Sequence, residues 1–191
     1  MSHWDQQELI LVTGKGGVGK STCAAGIALG LAQKGKRTLL VDLAARPSIR
    51  DMFSVPRTAR EPMAPIAQTP NFFALHIKME DAIRDYFSES LPVGRLVDIA
   101  TNNSVLDRLW KAAPSFNELV VWSAVYHYVC GTHPRAKMNF DHVVVELSGV
   151  ADPMNVQNIL GASGLLVDRK VALVDSMAFP ELYRSVQIAG E

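Results

Sequence analysis

One decapeptide, TGKGGVGKST at residues 13–22, limits the possible folds of this chain more than any other stretch. It follows the apolar run ELILV and precedes an alanine- and leucine-rich segment that we predict to be a helix over Ser21–Lys34. A second apolar run, Arg37–Asp42, comes directly after that helix. The chain therefore begins as strand, glycine loop, helix and strand, which predicts a βαβ unit with the glycine loop at its first turn.

The decapeptide has the spacing GxxxxGK[ST] of a phosphate-binding P-loop. In such a loop, successive backbone N–H groups surround an anion at the N-terminus of a helix. We expect Lys20 to contact the β- and γ-phosphates of ATP and the Ser21 hydroxyl to bind Mg²⁺. The predicted nucleotide-binding residues are Gly14, Lys15, Gly16, Gly17, Val18, Gly19, Lys20, Ser21 and Thr22, with the backbone N–H of Gly149 as a further donor to the γ-phosphate.

Strands and helices alternate along the rest of the chain. The strands are continuous apolar runs, as in parallel sheets that are covered on both faces. We predict an α/β fold, a three-layer sandwich with a mostly parallel sheet, of the P-loop NTPase type, as one domain over residues 1–191. The further predicted strands are Phe72–Ile77, Asp141–Leu147 and Lys170–Asp175, and the further helices include Ile49–Phe53, Met79–Glu89, part of Leu91–Ala112, Phe116–Cys130, Pro153–Leu160 and Phe179–Val186.

The first predicted helix is apolar nearly all round. A helix without a polar face is expected to be buried on all sides. We expect Gly26 and Gly30, one turn apart, to allow this helix to pack closely against the sheet.

Composition excludes several classes of protein. The formal net charge is zero, which gives no indication of a specific nucleic-acid partner. No apolar run approaches the ~20 residues of a transmembrane helix, and the N-terminus lacks the apolar region of a signal peptide. The chain has two cysteines, too few for a disulfide framework. We therefore predict a cytoplasmic protein without a transmembrane segment.

Two carboxylates end predicted strands, where catalytic groups of α/β proteins gather. Asp42 ends the second strand and Glu146 ends the run DHVVVE. Both can hold Mg²⁺ through its water shell, so we predict Ser21, Asp42 and Glu146 as the metal site. A structural hydrogen bond is the alternative role for Asp42. No metal site beyond Mg²⁺ is predicted, because the histidines at positions 76, 127, 133 and 142 share no metal-ligand spacing.

The form GKGGVGKST contains a second lysine, Lys15, and resembles the "deviant" P-loop of one ATPase family. That family holds the septum-site and chromosome-partitioning ATPases, the nitrogenase iron proteins and the arsenite-pump ATPases. The resemblance implies an ATP-bound homodimer in which Lys15 crosses to the partner's nucleotide, so that Lys15, Lys20, Asp42 and Glu146 are the catalytic residues. A solvent-exposed loop lysine is the alternative for Lys15.

The resemblance extends along most of residues 8–147. The segments RTLLVDLAARPSIRDMF, NFFALHIKMEDAIRDYF and AAPSFNEL are similar to those of bacterial arsenite-pump and tail-anchored-protein targeting ATPases. In that family an aspartate that positions the attacking water stands where this chain has Ala44. The family continues with further strands beyond the position of KVALVD. If residue 191 is the natural end, the resemblance implies that the C-terminal region is shortened here.

These features predict a slow, dimeric ATPase that acts as a nucleotide switch with a protein partner. Asp51 and Asp152 are acids that could substitute for the missing aspartate, and the favoured alternative for both is a surface cap or a turn former. Two alternatives stay open. One is an ATP-binding module that does not hydrolyse ATP. The other is a metallochaperone GTPase of the CobW type, which HVVVELSGVADPMNVQNIL and KVALVDSMAF resemble, although the CxCC motif of those GTPases is absent.

Overall fold

A five-stranded, fully parallel sheet forms the centre of the fold, with the strand order β3-β2-β4-β1-β5. The structure is a computed structural model and describes residues 8–43, 48–54, 69–90, 114–132, 138–149, 151 and 153–180. The strands are β1 (Glu8–Gly14), β2 (Thr38–Asp42), β3 (Phe72–His76), β4 (His142–Glu146) and β5 (Arg169–Leu173). The helices are α1 (Lys20–Gln33), α2 (Ser48–Met52), α3 (Met79–Ser90), α4 (Pro114–Val129) and α5 (Pro153–Ala162).

Helices cover both faces of this sheet. On one face, alanines of α1 pack with Ile10, Val12, Leu40 and Val144 of the strands. On the opposite face, side chains of α4 and α5 pack with the alternate strand residues, and α3 packs against α4. The prediction of a three-layer α/β fold is confirmed, and all the described strands are parallel. The prediction of a single domain over residues 1–191 stays a prediction.

Burial explains why the strands were recognisable as apolar runs. Every residue of β2 and β4 is buried, because both faces of these central strands are covered by helices. The edge strand β5 is half-buried at Val171 and Leu173 and exposed at its other positions. The predicted strands and helices agree with the observed ones to within a few residues. Two predicted helical segments lie outside the described residues: the helical part of Leu91–Ala112, and the part of Phe179–Val186 beyond residue 180.

The expectation that α1 is buried on all sides is wrong. Its buried apolar residues form one stripe, Ala24, Ala25, Ala28 and Ala32, whereas Gly26 is exposed. A Cβ atom added at Gly26 or Gly30 would meet nothing within 4 Å, so neither glycine is needed for close packing on the sheet. The alanine stripe makes that approach instead, because small side chains allow the helix axis to lie near the strands.

Candidate active site

Three polar side chains lie side by side where three neighbouring strands end. In the strand register, His76 of β3 pairs with Asp42 of β2, which pairs with Glu146 of β4. Successive side chains of a strand point to opposite faces, and these three share the face of Leu40, Ala74 and Val144, which pack against α1. The row therefore lies on the side of the sheet from which α1 begins.

The P-loop connects β1 to α1 at this same edge. Gly14, Gly17 and Gly19 have φ values of 145°, 86° and 91°, which L side chains rarely adopt. A Cβ atom at Gly14 would lie 2.5 Å from the carbonyl oxygen of Leu173, so the loop also passes too close to β5 for any side chain there. These two constraints give the glycines of the predicted motif a structural reason.

The lysine and serine of the motif point into the site. Lys20 is buried, and its Nζ donates a hydrogen bond to the carbonyl oxygen of Lys15 at 3.1 Å. The Ser21 hydroxyl donates to Oε1 of Glu146 at 2.7 Å and lies 2.6 Å from the hydroxyl of Ser48. The first turn of α1 is thereby joined both to the end of β4 and to the start of α2.

Burial raises the pKa of Glu146 above its ordinary value, and the nearby Asp42 carboxylate raises this pKa further. The hydrogen bond from Ser21 and the charge of Lys20 act in the opposite direction. Glu146 is 3% exposed and Asp42 is fully buried, so water does little to screen the repulsion between them. A cation beside these two acids would relieve that repulsion.

The donor set suits a small, hard divalent cation. Oε2 of Glu146 is buried and has no hydrogen-bond partner among the described residues. Glu146, the Ser21 hydroxyl and Asp42 offer oxygen ligands, which Mg²⁺ prefers. Few protein ligands suffice, because Mg²⁺ usually retains several of its own waters.

Gly149, in the loop after β4, lies against the P-loop. A Cβ atom added there would be 3.2 Å from the amide nitrogen of Gly16 and 3.4 Å from Nζ of Lys20. The structure thus brings the loop after β4 close to the Gly16 amide and Lys20, which are expected to contact phosphate. Among the remaining residues of the motif, Val18 is half-buried. The exposed residues of the motif include Lys15, Gly16, Gly17 and Thr22.

Two residues of the site were missed by reasoning from the sequence. Ser48 begins α2 and contacts Ser21, and the Nδ1 atom of His76 lies 3.6 Å from Oδ2 of Asp42. The sequence signal for His76 is its position at the end of an apolar strand, which it shares with Asp42 and Glu146. Metal-ligand spacing among the histidines does not reveal it.

Of the two acids considered as substitutes, the structure describes only Asp51. Asp51 is exposed on α2, and neither Ala44 nor Asp152 is among the residues that the structure describes. The assignment of a water-positioning group therefore stays a prediction.

Comparison with known proteins agrees with this architecture. The sequence profile of the anion-transporting ATPase family matches residues 7–153, so the chain belongs to that family of P-loop ATPases. ATPase BagA of Mycobacterium tuberculosis is 29% identical over 140 residues, which cover 72% of this chain and 41% of BagA. The arsenical pump-driving ATPase of Acidiphilium multivorum is 25% identical over 154 residues, covering 80% of this chain and 25% of that protein.

A shorter match extends the relationship. The septum site-determining protein MinD of Escherichia coli is 59% identical over 34 residues, covering 18% of this chain and 13% of MinD. The resemblance to arsenite-pump and septum-site ATPases is confirmed. The chain spans less than half the length of these relatives. In the part of the chain that the structure describes, no helix is long and apolar enough to cross a membrane.

Proposed function

We propose that the chain is a nucleotide switch that binds Mg·ATP, dimerises when ATP is bound and hydrolyses ATP slowly. The contact between the Ser21 hydroxyl and Glu146, beside the buried Lys20, is the observation that carries this proposal. It joins the P-loop to a carboxylate that is destabilised in its charged form, at the point where a P-loop ATPase needs a divalent cation. A cytoplasmic location and a protein partner stay predictions.

Each residue has a distinct role in this proposal. The amides of the P-loop and Lys20 bind the phosphates, and Gly149 contributes its backbone N–H over the same position. Ser21 and Glu146 would hold the cation and Asp42 would hold it through water, and a cation held there would supply positive charge to offset the charge that develops on the phosphates. Phosphoryl transfer depends mainly on such positioning and charge neutralisation, so no covalent intermediate on the protein is required.

The exposed position of Lys15 supports the proposed homodimer. Lys15 contributes its carbonyl oxygen to Lys20, while the residue itself is exposed beside the phosphate-binding loop. A cation at that place can reach a nucleotide bound to a second copy and stabilise charge there, as arginine fingers do in other P-loop enzymes.

Light scattering with ATP, GTP and Mg²⁺ tests binding and dimerisation together. We expect ATP to convert monomer to dimer more effectively than GTP. Lys20→Ala should abolish nucleotide binding, because the loop loses its main buried cation. Lys15→Ala should bind ATP almost normally and yet fail to dimerise. A chain that stays monomeric at saturating ATP, or a Lys15→Ala variant that dimerises normally, would contradict the proposed dimer, and preference for GTP would favour the metallochaperone alternative.

Ala44 supports slow hydrolysis, because it stands where the family carries an aspartate that positions water. Loss of such a group typically lowers the rate about 10²–10⁴-fold. We expect slow single-turnover hydrolysis by the wild type, and a faster rate in Ala44→Asp with unchanged ATP affinity. Ala44→Asn is the matched control, because asparagine has nearly the size of aspartate but lacks the carboxylate. Rapid wild-type hydrolysis would contradict this expectation, and undetectable hydrolysis by both proteins would favour the non-hydrolysing alternative.

A further inference from the structure

His76 lies at the edge of the site, on the opposite side of Asp42 from Glu146. The strand order places β2 between β3 and β4, and the register puts the three residues in one row. The His76 side chain is 9% exposed and that of Asp42 is fully buried. Nδ1 of His76 and Oδ2 of Asp42 lie 3.6 Å apart, slightly beyond hydrogen-bonding distance. The pair is shielded from water, so an N–H at Nδ1 would attract the carboxylate strongly there.

On its other side, Asp42 has a neighbour of like charge. It is close enough to Glu146 to raise the pKa of that residue, so the two carboxylates repel each other. A buried carboxylate that is attracted from one side and repelled from the other tends to turn towards the attracting group. An N–H at Nδ1 of His76 would attract the Asp42 carboxylate from the β3 side and so help to limit the orientations that it can adopt.

We propose that His76 is a positioning residue that orients Asp42 through Nδ1 for binding of the divalent cation. The inference rests on the proposed function, in which Asp42 holds Mg²⁺ through water. The P-loop follows β1, and β2 and β4 lie between β1 and the strand of His76. We therefore expect no contact between His76 and the phosphates. Its effect is therefore on the cation and not on the nucleotide itself.

Side-chain geometry allows a sharp test. The amide nitrogen of asparagine occupies nearly the position of the Nδ1 atom of histidine, whereas that of glutamine corresponds to Nε2. Asparagine at position 76 should therefore keep the contact with Asp42, and alanine or glutamine should lose it. His142 provides the matched control, because its Nδ1 faces Oε2 of Glu8 at 3.4 Å with the side chain 11% exposed, at the opposite end of the sheet.

The experiment measures Mn²⁺ binding to the ATPγS-loaded protein by electron paramagnetic resonance. Loss of a group that orients a metal ligand typically weakens metal binding 10–100-fold, and we expect about tenfold for His76→Ala and His76→Gln. His76→Asn should stay within about twofold of the wild type, and so should His142→Ala. ATPγS binding in EDTA should be the same in all variants, and thermal unfolding verifies that each one is folded.

Several results would overturn the inference. If His76→Ala binds Mn²⁺ as the wild type does, or if asparagine at this position restores no more binding than glutamine, Nδ1 does not position Asp42. An equal loss in His142→Ala would assign the effect to general destabilisation of the sheet. If the wild type itself binds no Mn²⁺ with the nucleotide, the proposed function fails first and the inference fails with it.

Discussion

The acidic side chains at the two ends of the parallel sheet differ in how far they are exposed to water. At the amino end, Asp168 accepts a hydrogen bond from the backbone N–H of Leu9 at 2.6 Å, and Asp141 accepts one from that of Arg37 at 2.7 Å. Both aspartates are exposed, so water also solvates their charge. These acids satisfy backbone donors at the ends of strands and so stabilise the fold.

At the carboxyl end, the acids are withdrawn from water. Glu146 and Asp42 are buried next to each other, and burial together with this repulsion raises the pKa of Glu146. Burying charge in this way costs free energy unless a counter-charge is bound. This difference suits the carboxyl end to the cation that we propose, whereas water already solvates the aspartates at the amino end.

Replacing Glu146 should have the largest effect on this contrast. Glu146→Gln keeps the size of the side chain and removes its charge, and we expect Mg²⁺-dependent ATP affinity to fall about 10–100-fold. Without metal, the same change should stabilise the protein at neutral pH, because a buried charge is removed. ATP titrations with and without Mg²⁺, and thermal unfolding in EDTA, measure the two effects.

The pH dependence of stability follows from the raised pKa of Glu146. Between its ordinary and its raised pKa, the folded protein binds a proton that the unfolded chain has already released. The free energy of unfolding that this proton contributes therefore falls as pH rises through that window. In EDTA, this pH dependence should be missing from Glu146→Gln.

Asp168→Ala, at the amino end, should instead lose about 1 kcal/mol of stability near neutral pH with unchanged ATP binding. Equal pH slopes in the wild type and Glu146→Gln would contradict the contrast between the two ends.

A smaller effect is expected at Gly149, where an added Cβ atom would be in tight contact with the P-loop. Gly149→Ala places a Cβ atom 3.2 Å from the amide nitrogen of Gly16, so this loop must shift away from the P-loop. We expect ATP to bind about tenfold more weakly, a change of ~1.4 kcal/mol. Calorimetric titration with Mg·ATP measures this change.

Gly30→Ala is the matched control for Gly149→Ala. The position on α1 has open space for a Cβ atom, and alanine in a helix interior is favoured over glycine by roughly 0.5–1 kcal/mol. We expect higher stability and unchanged ATP binding. If both alanine variants bind ATP as the wild type does, the close approach of Gly149 to the P-loop has no role in nucleotide binding.

Much of the site could be predicted because it is encoded locally. The spacing of Gly14, Lys20 and Ser21 within one loop follows from the demands of phosphate binding, and the structure gives three of the loop glycines the positive φ values that explain them. The ends of β2 and β4 were also recognisable, because each apolar run stops at an acid, Asp42 or Glu146. The face of α1 was misjudged, because its alanines and leucines look equally apolar in sequence although they differ in burial.

The local pattern by itself determined the P-loop, the parallel strands and the positions of two acids at strand ends. Tertiary structure alone decided what those groups contact: Ser21 meets Ser48, 27 residues away, and Glu146, 125 residues away. The row of His76, Asp42 and Glu146 likewise depends on strand order, since β2 lies between β3 and β4 in the sheet although β3 lies between β2 and β4 in the chain. The physical reason is that hydrophobic patterning specifies where a strand lies in the sequence, whereas pairing between strands determines which polar ends are buried together.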